Sequence, residues 1–236
     1  MEQMQHQMMG YDRTSIMFSP DGRLLQVEYA KKTVKQGTTA MGMVCKDGVL
    51  LLADKRISEP LIIAGSIEKV SPIDDHIGAT ASGIVSDGRV LIDIGRVMAQ
   101  KNRVTYDSPV DTLSLVKYIC DIKQYYTQVG GARPFGVSLL IAGVNDDCDL
   151  FVTDPTGIYF QYKATAIGDS DDAIKDMLNK EYKESLTLNE GLKLCLRILR
   201  KVQAKNFDID RIDAAVIKTN DKKFTKLTSN ELNKLK

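Results

Sequence analysis

A change in hydrophobic periodicity at Gly37 constrains the fold of this chain more than any other feature. Before it, residues 19–22 (SPDG) supply a side-chain oxygen and a proline of the kind that open helices. Apolar residues then recur at helical spacing, namely Leu24, Val27, Ala30 and Val34. After Gly37 the pattern alternates, and residues 48–53 form an apolar run typical of a strand buried on both faces. The sequence predicts a helix over residues 20–36, ended by Gly37 and followed by a β-rich body.

The rest of the chain alternates groups of strands with pairs of helices. We predict further strands near residues 67–73, 76–82, 137–143, 149–153, 158–162 and 212–219. We predict helices beginning at residue 84 and spanning about 110–127, 170–183 and 188–205. This order favours an α+β protein whose helix pairs cover different sheet faces. The pattern leaves open whether the strands form one sheet or two.

Composition limits the classes of function. The 236 residues are 43% hydrophobic and 27% charged, which suits a single domain spanning residues 1–236. A net charge of +1 argues against nucleic-acid and membrane partners, and the lysine-rich residues 220–236 are predicted to be a solvated tail. The four cysteines are widely spaced and the histidines number two, so we expect reduced thiols, no metal and no cofactor. No apolar run reaches the ~20 residues of a membrane span, and we expect a soluble intracellular protein.

Several sequence words, in the same order along the chain, resemble those of proteasome α-type subunits. The N-terminal words are FSPDGRL at 18–24 and QVEYA at 26–30; the later ones are SIEKV at 66–70, YTQ at 126–128, GGARPFGVS at 130–138 and YKATAIG at 162–168. The resemblance covers nearly the whole chain and is closest to archaeal α subunits. It implies a four-layer αββα sandwich of the N-terminal-nucleophile hydrolase type. It also implies a heptameric ring that caps the proteolytic β rings of the 20S core particle, in the cytoplasm (and the nucleus, if eukaryotic).

The resemblance also assigns a gate to the N-terminal segment. Residues 1–19 would form a tail over the axial pore through which unfolded substrates pass. Tyr11, Asp12, Pro20 and Tyr29 match the cluster that holds this gate open. Tyrosine hydroxyls and a carboxylate can hydrogen-bond between neighbouring subunits, and proline fixes the turn that carries them. The alternative for these residues is an ordinary helix cap with a buried tyrosine.

A second implied site receives the C-terminal tails of ATPases or other activators. Lys69 matches the lysine that pairs with the incoming carboxylate, a recurring mode of peptide recognition. The remaining members of this pocket are Gly37, Ile84, Val85 and Glu28. The family often has leucine where this chain has Ile84, which leaves the activator preference open. Taken alone, Lys69 would be interpreted as a solvated surface charge.

A third implied site is the constriction through which substrate enters. It matches the loop formed by Val129, Gly130, Gly131 and Ala132. Small residues suit the lip of a pore because they leave the opening clear. The alternative is a simple helix-to-strand turn that requires a positive φ angle, and the two interpretations are compatible.

The competing function is that of a catalytic β-type subunit. In those relatives a leader is removed before a threonine whose free amine activates its own hydroxyl. Thr38 would be that nucleophile here, with Asp54 and Lys69 tuning it. However, the segment before Thr38 carries the α-type signature, and while it stays attached Thr38 has only an amide nitrogen. We therefore predict a non-catalytic α subunit, with partners that are other copies of itself, β subunits and activator tails.

Overall fold

The computed structural model describes residues 10–56 and 61–235. Residues 1–9 of the predicted gate tail and Lys236 of the predicted basic tail lie outside the described residues. Within the described part, the chain forms six α-helices and ten β-strands. In chain order these are α1 (Leu25–Gln36), β1 (Ala40–Cys45), β2 (Gly48–Asp54), β3 (Val70–Asp74), β4 (Ile77–Gly83), α2 (Val85–Tyr106), α3 (Thr112–Gln128), β5 (Val137–Val144), β6 (Cys148–Thr153), β7 (Tyr159–Gln161), β8 (Ala164–Ile167), α4 (Asp171–Glu181), α5 (Leu188–Gln203), β9 (Ile212–Lys218), β10 (Phe224–Lys226) and α6 (Ser229–Asn233).

The strands form two five-stranded antiparallel sheets. One has the order β10-β9-β2-β1-β8 and the other β3-β4-β5-β6-β7. Helices α4 and α5 cover the outer face of the first sheet, while α2 and α3 cover the outer face of the second. The inner faces pack together, β2 against β5 and β1 against β6. The result is the four-layer αββα sandwich of the N-terminal-nucleophile hydrolase type, which confirms the predicted fold class and shows that the sheets number two.

Burial follows position within the sheets. Every residue of β2 and of β5 is buried, and these two strands are the central strands of their sheets. Apolar side chains fill all three spaces between the layers. A central strand is covered on both faces, so it needs a continuous apolar sequence in place of an alternating one. This explains why the two longest apolar runs of the sequence correctly predict strands.

The first helix begins later than predicted. Helix α1 starts at Leu25, with Leu24 as its N-cap and no side-chain capping bond. The Ser19 Oγ accepts a hydrogen bond from the Arg23 amide at 3.2 Å, and Gly22 has a φ of +73°. Residues 19–23 therefore form a closed turn that precedes the helix. The predicted N-cap at Ser19 is wrong because the left-handed residue Gly22 interrupts helical geometry.

Gly37 ends α1 for a different reason from the predicted one. Its φ is −68°, so it does not adopt the left-handed conformation that usually places glycine there. A Cβ on Gly37 would lie 2.2 Å from the backbone nitrogen of Gly83 and 2.4 Å from the Ser82 Oγ. Glycine is required because the end of α1 is packed directly onto the backbone at the end of β4.

The basic C-terminal segment is structured rather than a solvated tail. Strand β10 pairs with β9, and α6 begins with a capping box formed by Thr228 and Glu231. Leu232 is fully buried against the helices that cover the first sheet. The prediction of a solvated tail over residues 220–236 is therefore wrong. The segment is rich in lysine, but its apolar residues Leu227, Leu232 and Leu235 pack against the core.

The thiols fit the predicted reduced state. All four cysteines are free, and burial raises the pKa of Cys45 and of Cys120 to about 12. Among the described residues there is no group of His, Cys, Asp and Glu side chains that could hold a metal ion. None of the helices within residues 10–56 and 61–235 is long and apolar enough to cross a membrane.

Candidate functional site

Four of the five predicted pocket residues meet where β4 passes into α2. Gly37 packs on Gly83, and Ile84 is the N-cap of α2. Val85, the first residue of α2, is 67% exposed and forms the open side of this corner. The hydroxyl of Ser82 donates to the carbonyl of Thr38 at 2.9 Å, which fastens the end of α1 to the end of β4. The corner is thus assembled by direct backbone packing between distant parts of the chain.

Lys69 reaches the same corner from the start of β3. Its half-buried Nζ donates to the carbonyl oxygen of Ala81 at 3.0 Å. Burial lowers the pKa of Lys69, while the charge of Asp54 opposes that shift and the charge of Arg56 adds to it. The carbonyl that it contacts, Ala81, lies on β4 three residues before Ile84, the N-cap of α2, whose N-terminal end carries a partial positive charge. This combination can attract and bind a carboxylate.

Glu28 is not brought into this corner within one chain. It lies nine residues before Gly37, which is about 13 Å along the axis of a helix. Its carboxylate accepts hydrogen bonds from Arg23 at 2.6 and 2.5 Å. The hydrogen bond from Arg23 lowers the pKa of Glu28, so the carboxylate is a charged partner on the outer part of α1.

The predicted gate residues lie along the segment that leads into α1. Tyr11 and Asp12 are in a turn, and the carbonyl oxygen of Asp12 accepts a bond from the Gln26 side chain at 2.5 Å. Pro20 is exposed in the turn before α1. Tyr29 lies on α1 with the Lys32 ammonium 5.5 Å from its ring centre. The segment is therefore attached to the helix, although its described residues contain no helix or strand of their own.

The predicted pore loop follows α3 directly. Gly130 and Gly131 are exposed, and Gly131 has a φ of +83° with open space around its Cα. The turn interpretation is therefore confirmed at Gly131, because other residues rarely adopt this conformation. A Cβ on Gly130 would lie 3.5 Å from the Ile16 side chain. The predicted gate segment and the predicted pore loop are thus neighbours within one chain.

Asp87 and Thr33, which the sequence analysis did not single out, connect α2 and α1 to the segment that follows the predicted pore loop. The Asp87 carboxylate, in the first turn of α2, accepts two bonds from Arg133 at 2.6 and 2.7 Å and one from the Gly136 amide at 2.9 Å. The Gly136 carbonyl accepts from the Thr33 hydroxyl at 2.8 Å and from the Ile84 amide at 2.9 Å. An acidic residue in the first turn of a helix is the only signal that could have indicated Asp87.

The residues of the competing catalytic interpretation do not form a catalytic set. The Thr38 Oγ1 is buried and has no hydrogen-bond partner among the described residues. The Asp54 carboxylate is 1% exposed and accepts bonds from Arg211 and Gln203 at 2.8 to 2.9 Å. The described bond of the Lys69 ammonium is to a carbonyl oxygen. In the intact chain the Thr38 nitrogen is an amide, and no base among the described residues hydrogen-bonds to its hydroxyl.

Comparison with known proteins agrees with this geometry. The family model for proteasome subunits matches residues 34–217, and the model for the N-terminal signature of A-type proteasome subunits matches residues 11–32. The chain is 49% identical over 225 residues to the proteasome alpha subunit of Methanosarcina barkeri, covering 95% of this chain and 90% of the relative. It is 50% identical over 228 residues to the protein of that name from Methanocaldococcus jannaschii, covering 95% and 86%. The protein of that name from Archaeoglobus fulgidus is 49% identical over 224 residues, covering 95% and 91%.

Proposed function

Because the chain belongs to the proteasome subunit family and is of the α type by its signature and its relatives, we propose that it forms the outer heptameric ring of a 20S core particle. In that ring it gates substrate entry, docks activator tails and supports assembly of the β rings. The observation that carries this proposal is the convergence of Lys69, Gly37, Ile84 and Val85 at one corner of the fold.

The corner fits a C-terminal carboxylate. The Lys69 ammonium and the N-terminal end of α2 together favour an anion, and the exposed Val85 offers an apolar surface for the residue before that carboxylate. Glu28 is remote from Lys69 in the same chain. It would take part from the neighbouring subunit, with its pair Arg23 fixing the carboxylate.

The gate is assigned to the segment before α1. Its residues Ile16, Met17 and Phe18 are 48%, 45% and 63% exposed, although they are large and apolar. Exposed apolar residues next to the glycine loop suit contacts with neighbouring segments across a pore. Activator tails open the gate only if they bind the open arrangement more tightly than the closed one.

The chain itself is proposed to be non-catalytic and cytoplasmic. The buried Thr38 hydroxyl and the fully occupied Asp54 carboxylate favour this over the β-type protease. Unfolded protein chains would pass the loop of residues 129–132 on the way to β subunits that carry out the hydrolysis.

The docking role is tested by Lys69→Ala in the assembled particle with its β subunits. We expect stimulation of peptide hydrolysis by ATPase tail peptides to be lost, while ring assembly is retained. Lys180→Ala, which changes an exposed lysine on α4, is the matched control. Stimulation that survives in the Lys69 variant refutes the pocket.

The gate is tested by removing residues 1–12. We expect basal hydrolysis of a short peptide to rise in the assembled particle, because the obstruction is gone. Unchanged basal hydrolysis, in a particle shown to be intact, refutes the gate.

The ring and the absence of processing are tested together by native and denaturing mass spectrometry of the chain expressed alone. We expect a sevenfold assembly whose subunits keep the residues before Thr38. Subunits that begin at Thr38 would overturn the proposal in favour of the β-type protease.

A further inference from the structure

Lys123 on α3 is a fully buried lysine that none of the functions above uses. Its side chain is 0% exposed. The Nζ donates to the Val137 carbonyl at 2.9 Å, to the Thr153 Oγ1 at 2.8 Å and to the Asp154 carbonyl at 3.3 Å. An ammonium has three donors, and here each has an oxygen acceptor. None of these acceptors is a carboxylate, so among the described residues the buried positive charge has no direct counter-ion.

Lys123 connects the two ends of the segment that contains the predicted pore loop. Lys123 lies in the last turns of α3, just before the loop of residues 129–132, and Val137 is the first residue of the strand that follows that loop. The bond from Lys123 to Val137 therefore closes the segment of residues 129–136 at its base. Arg133, within the segment, is held separately by Asp87. The loop is exposed at its glycines and fixed at its base and at Arg133.

We propose that Lys123 is a positioning residue that holds the loop of residues 129–132 in place, so that passage of unfolded chains past this loop depends on it. The inference rests on the proposed pore function of the loop. Lys123 does not touch the substrate; it acts through Val137, Thr153 and Asp154 on the backbone that carries the loop.

The electrostatics of the site give this proposal a distinctive signature. Burial lowers the pKa of Lys123 to about 8, and negative charge on Cys120, Asp154 and Asp87 would oppose that shift. Cys120, one turn earlier on α3, has its pKa raised to about 12 and is a neutral thiol. Asp154 is paired with Lys31 of α1 at 3.0 Å, and Asp87 with Arg133, so both carboxylates are already partnered.

The sign of the pH dependence follows from linkage. An opening of the loop base that exposes Lys123 to water restores an ordinary lysine pKa, near 10.4. The open form then binds more protons than the closed form between pH 8 and pH 10.4. Raising the pH through this range therefore favours the closed form, and from pH 7 to 9.5 the opening equilibrium falls roughly tenfold or more. Protonation is what loosens the loop.

The first experiment measures amide hydrogen exchange in residues 130–136 of the assembled ring between pH 7 and 9.5, corrected for intrinsic rates. We expect the opening equilibrium of the native chain to fall by that factor. In Lys123→Met we expect the pH dependence to disappear, and opening at pH 7 to rise about fivefold because three buried acceptors lose their donor. Lys117→Met, which changes an exposed lysine on the same helix, should behave like the native chain.

The second experiment measures hydrolysis of an unfolded protein and of a tetrapeptide by the assembled particle with its β subunits. We expect Lys123→Met to slow hydrolysis of the unfolded protein at least twofold and to leave the tetrapeptide rate unchanged. If exchange in the loop changes but both hydrolysis rates stay native, Lys123 still positions the loop, and the pore function of the loop is refuted.

Two results would overturn the inference itself. One is loop exchange in the native chain that lacks the fall with pH. The other is the same pH dependence in Lys123→Met as in the native chain. If Lys123→Met does not assemble, the native pH series decides alone, because a lysine with a merely structural role far from the opening would not link its proton to exchange of these amides.

Discussion

The two helix layers of this protein are built on different principles. Helices α4 and α5 cover the first sheet with an apolar face rich in leucine, which we call the leucine layer. Helices α2 and α3 cover the second sheet with an apolar core that also buries charged and polar groups, which we call the lysine layer. Both layers have two helices on the outer face of a sheet. They differ in the side chains that they bury, which are mainly apolar in one and include hydrogen-bonded polar groups in the other.

Helix α5 of the leucine layer follows local rules closely, whereas α4 also buries one charged residue, Asp171, which pairs with Lys35 and Lys175. Helix α5 opens with a capping box between Thr187 and Glu190, and its core side chains include Leu192, Ile198 and Leu199, the last two fully buried. Its helices begin and end close to where the sequence predicts them. Burial of apolar area is sufficient to hold such a layer, and small displacements would cost it little specificity.

The lysine layer departs from those rules at named positions. Lys123 and Asp87 are buried and hydrogen-bonded, as is Asp74, which pairs with Arg103 at 2.7 Å. His76 is also buried, with its Nε2 2.8 Å from the Val110 carbonyl. Hydrogen bonds fix geometry more narrowly than apolar contact does. Among the described residues, buried polar groups are more frequent in the second sheet and its helices, which carry the predicted pore loop, than in the first sheet and its helices.

The largest effect on stability is expected in the leucine layer. Leu199→Ala removes a fully buried side chain and should lower the free energy of unfolding by about 3 kcal/mol, through lost burial and a cavity. Urea unfolding of the chain measures this, with Lys201→Ala on the exposed face of α5 as control. Exchange in residues 130–136 under native conditions should stay unchanged. A change there would contradict the separation of the two layers.

An intermediate effect is expected at Asp87. Asp87→Asn keeps the shape but removes the charge that binds Arg133, and because Arg133 is 59% exposed the loss should be about 1 kcal/mol. In contrast to Leu199→Ala, exchange in residues 130–136 should rise severalfold. The same urea and exchange measurements apply. Equal exchange in both variants would break the comparison.

Acid should act on the lysine layer through the same carboxylate. Burial raises the pKa of Asp87, but the bonds from Arg133 and Gly136 outweigh burial, and the net pKa is lowered. The stabilising contribution is therefore complete above the unfolded pKa, about 3.9, and is lost as the pH falls through the lower folded value. Loop exchange in the native chain should rise below about pH 4, and Asp87→Asn should remove that rise.

A stability effect of similar size, but with no effect on the loop, is expected at a helix cap. Thr187→Ala removes the capping box of α5 and should cost about 1 kcal/mol of unfolding free energy. Thr228→Ala removes the equivalent box of the short helix α6 and is the natural comparison. Neither should affect the loop. A larger loss at Thr228 than at Thr187 would show that the C-terminal segment contributes more to the core than its length indicates.

The sequence was sufficient for elements whose geometry is local. The apolar runs of β2 and β5 and the periodicity of α5 place those elements almost at their observed bounds. Strand β8 was missed because its four residues, 164–167, carry a weak pattern and acquire their role only by pairing with β1. The division into two sheets was likewise undetermined, since it depends on which strands pair and periodicity records only their faces.

The sequence named four residues that lie at one corner of the fold, but it did not indicate the contacts that hold them there. Gly37 was identified, but the reason for glycine there is a contact with Gly83, 46 positions away in the sequence. Glu28 was grouped with Lys69 although one chain keeps them apart. Lys123 had a usable signal, because it lies four residues after the buried Ile119 and so on the same helix face. The sequence analysis did not single it out.

The contact between Gly37 and Gly83 also limits how the N-terminal part of the molecule can move. A helix whose end rests directly on another backbone, with no side chain between them, cannot translate along its axis or toward the sheet without steric overlap. Hydrogen bonds from Thr33 to the Gly136 carbonyl and from Lys35 to Asp171 hold the same helix further. Any large displacement of the chain before it must therefore arise in residues 10–24, where the described backbone forms turns and no regular element. The end of α1 at Gly37 is thus fixed against the sheet, while residues 10–24 are the part of the N-terminal region that is not held in a helix or strand.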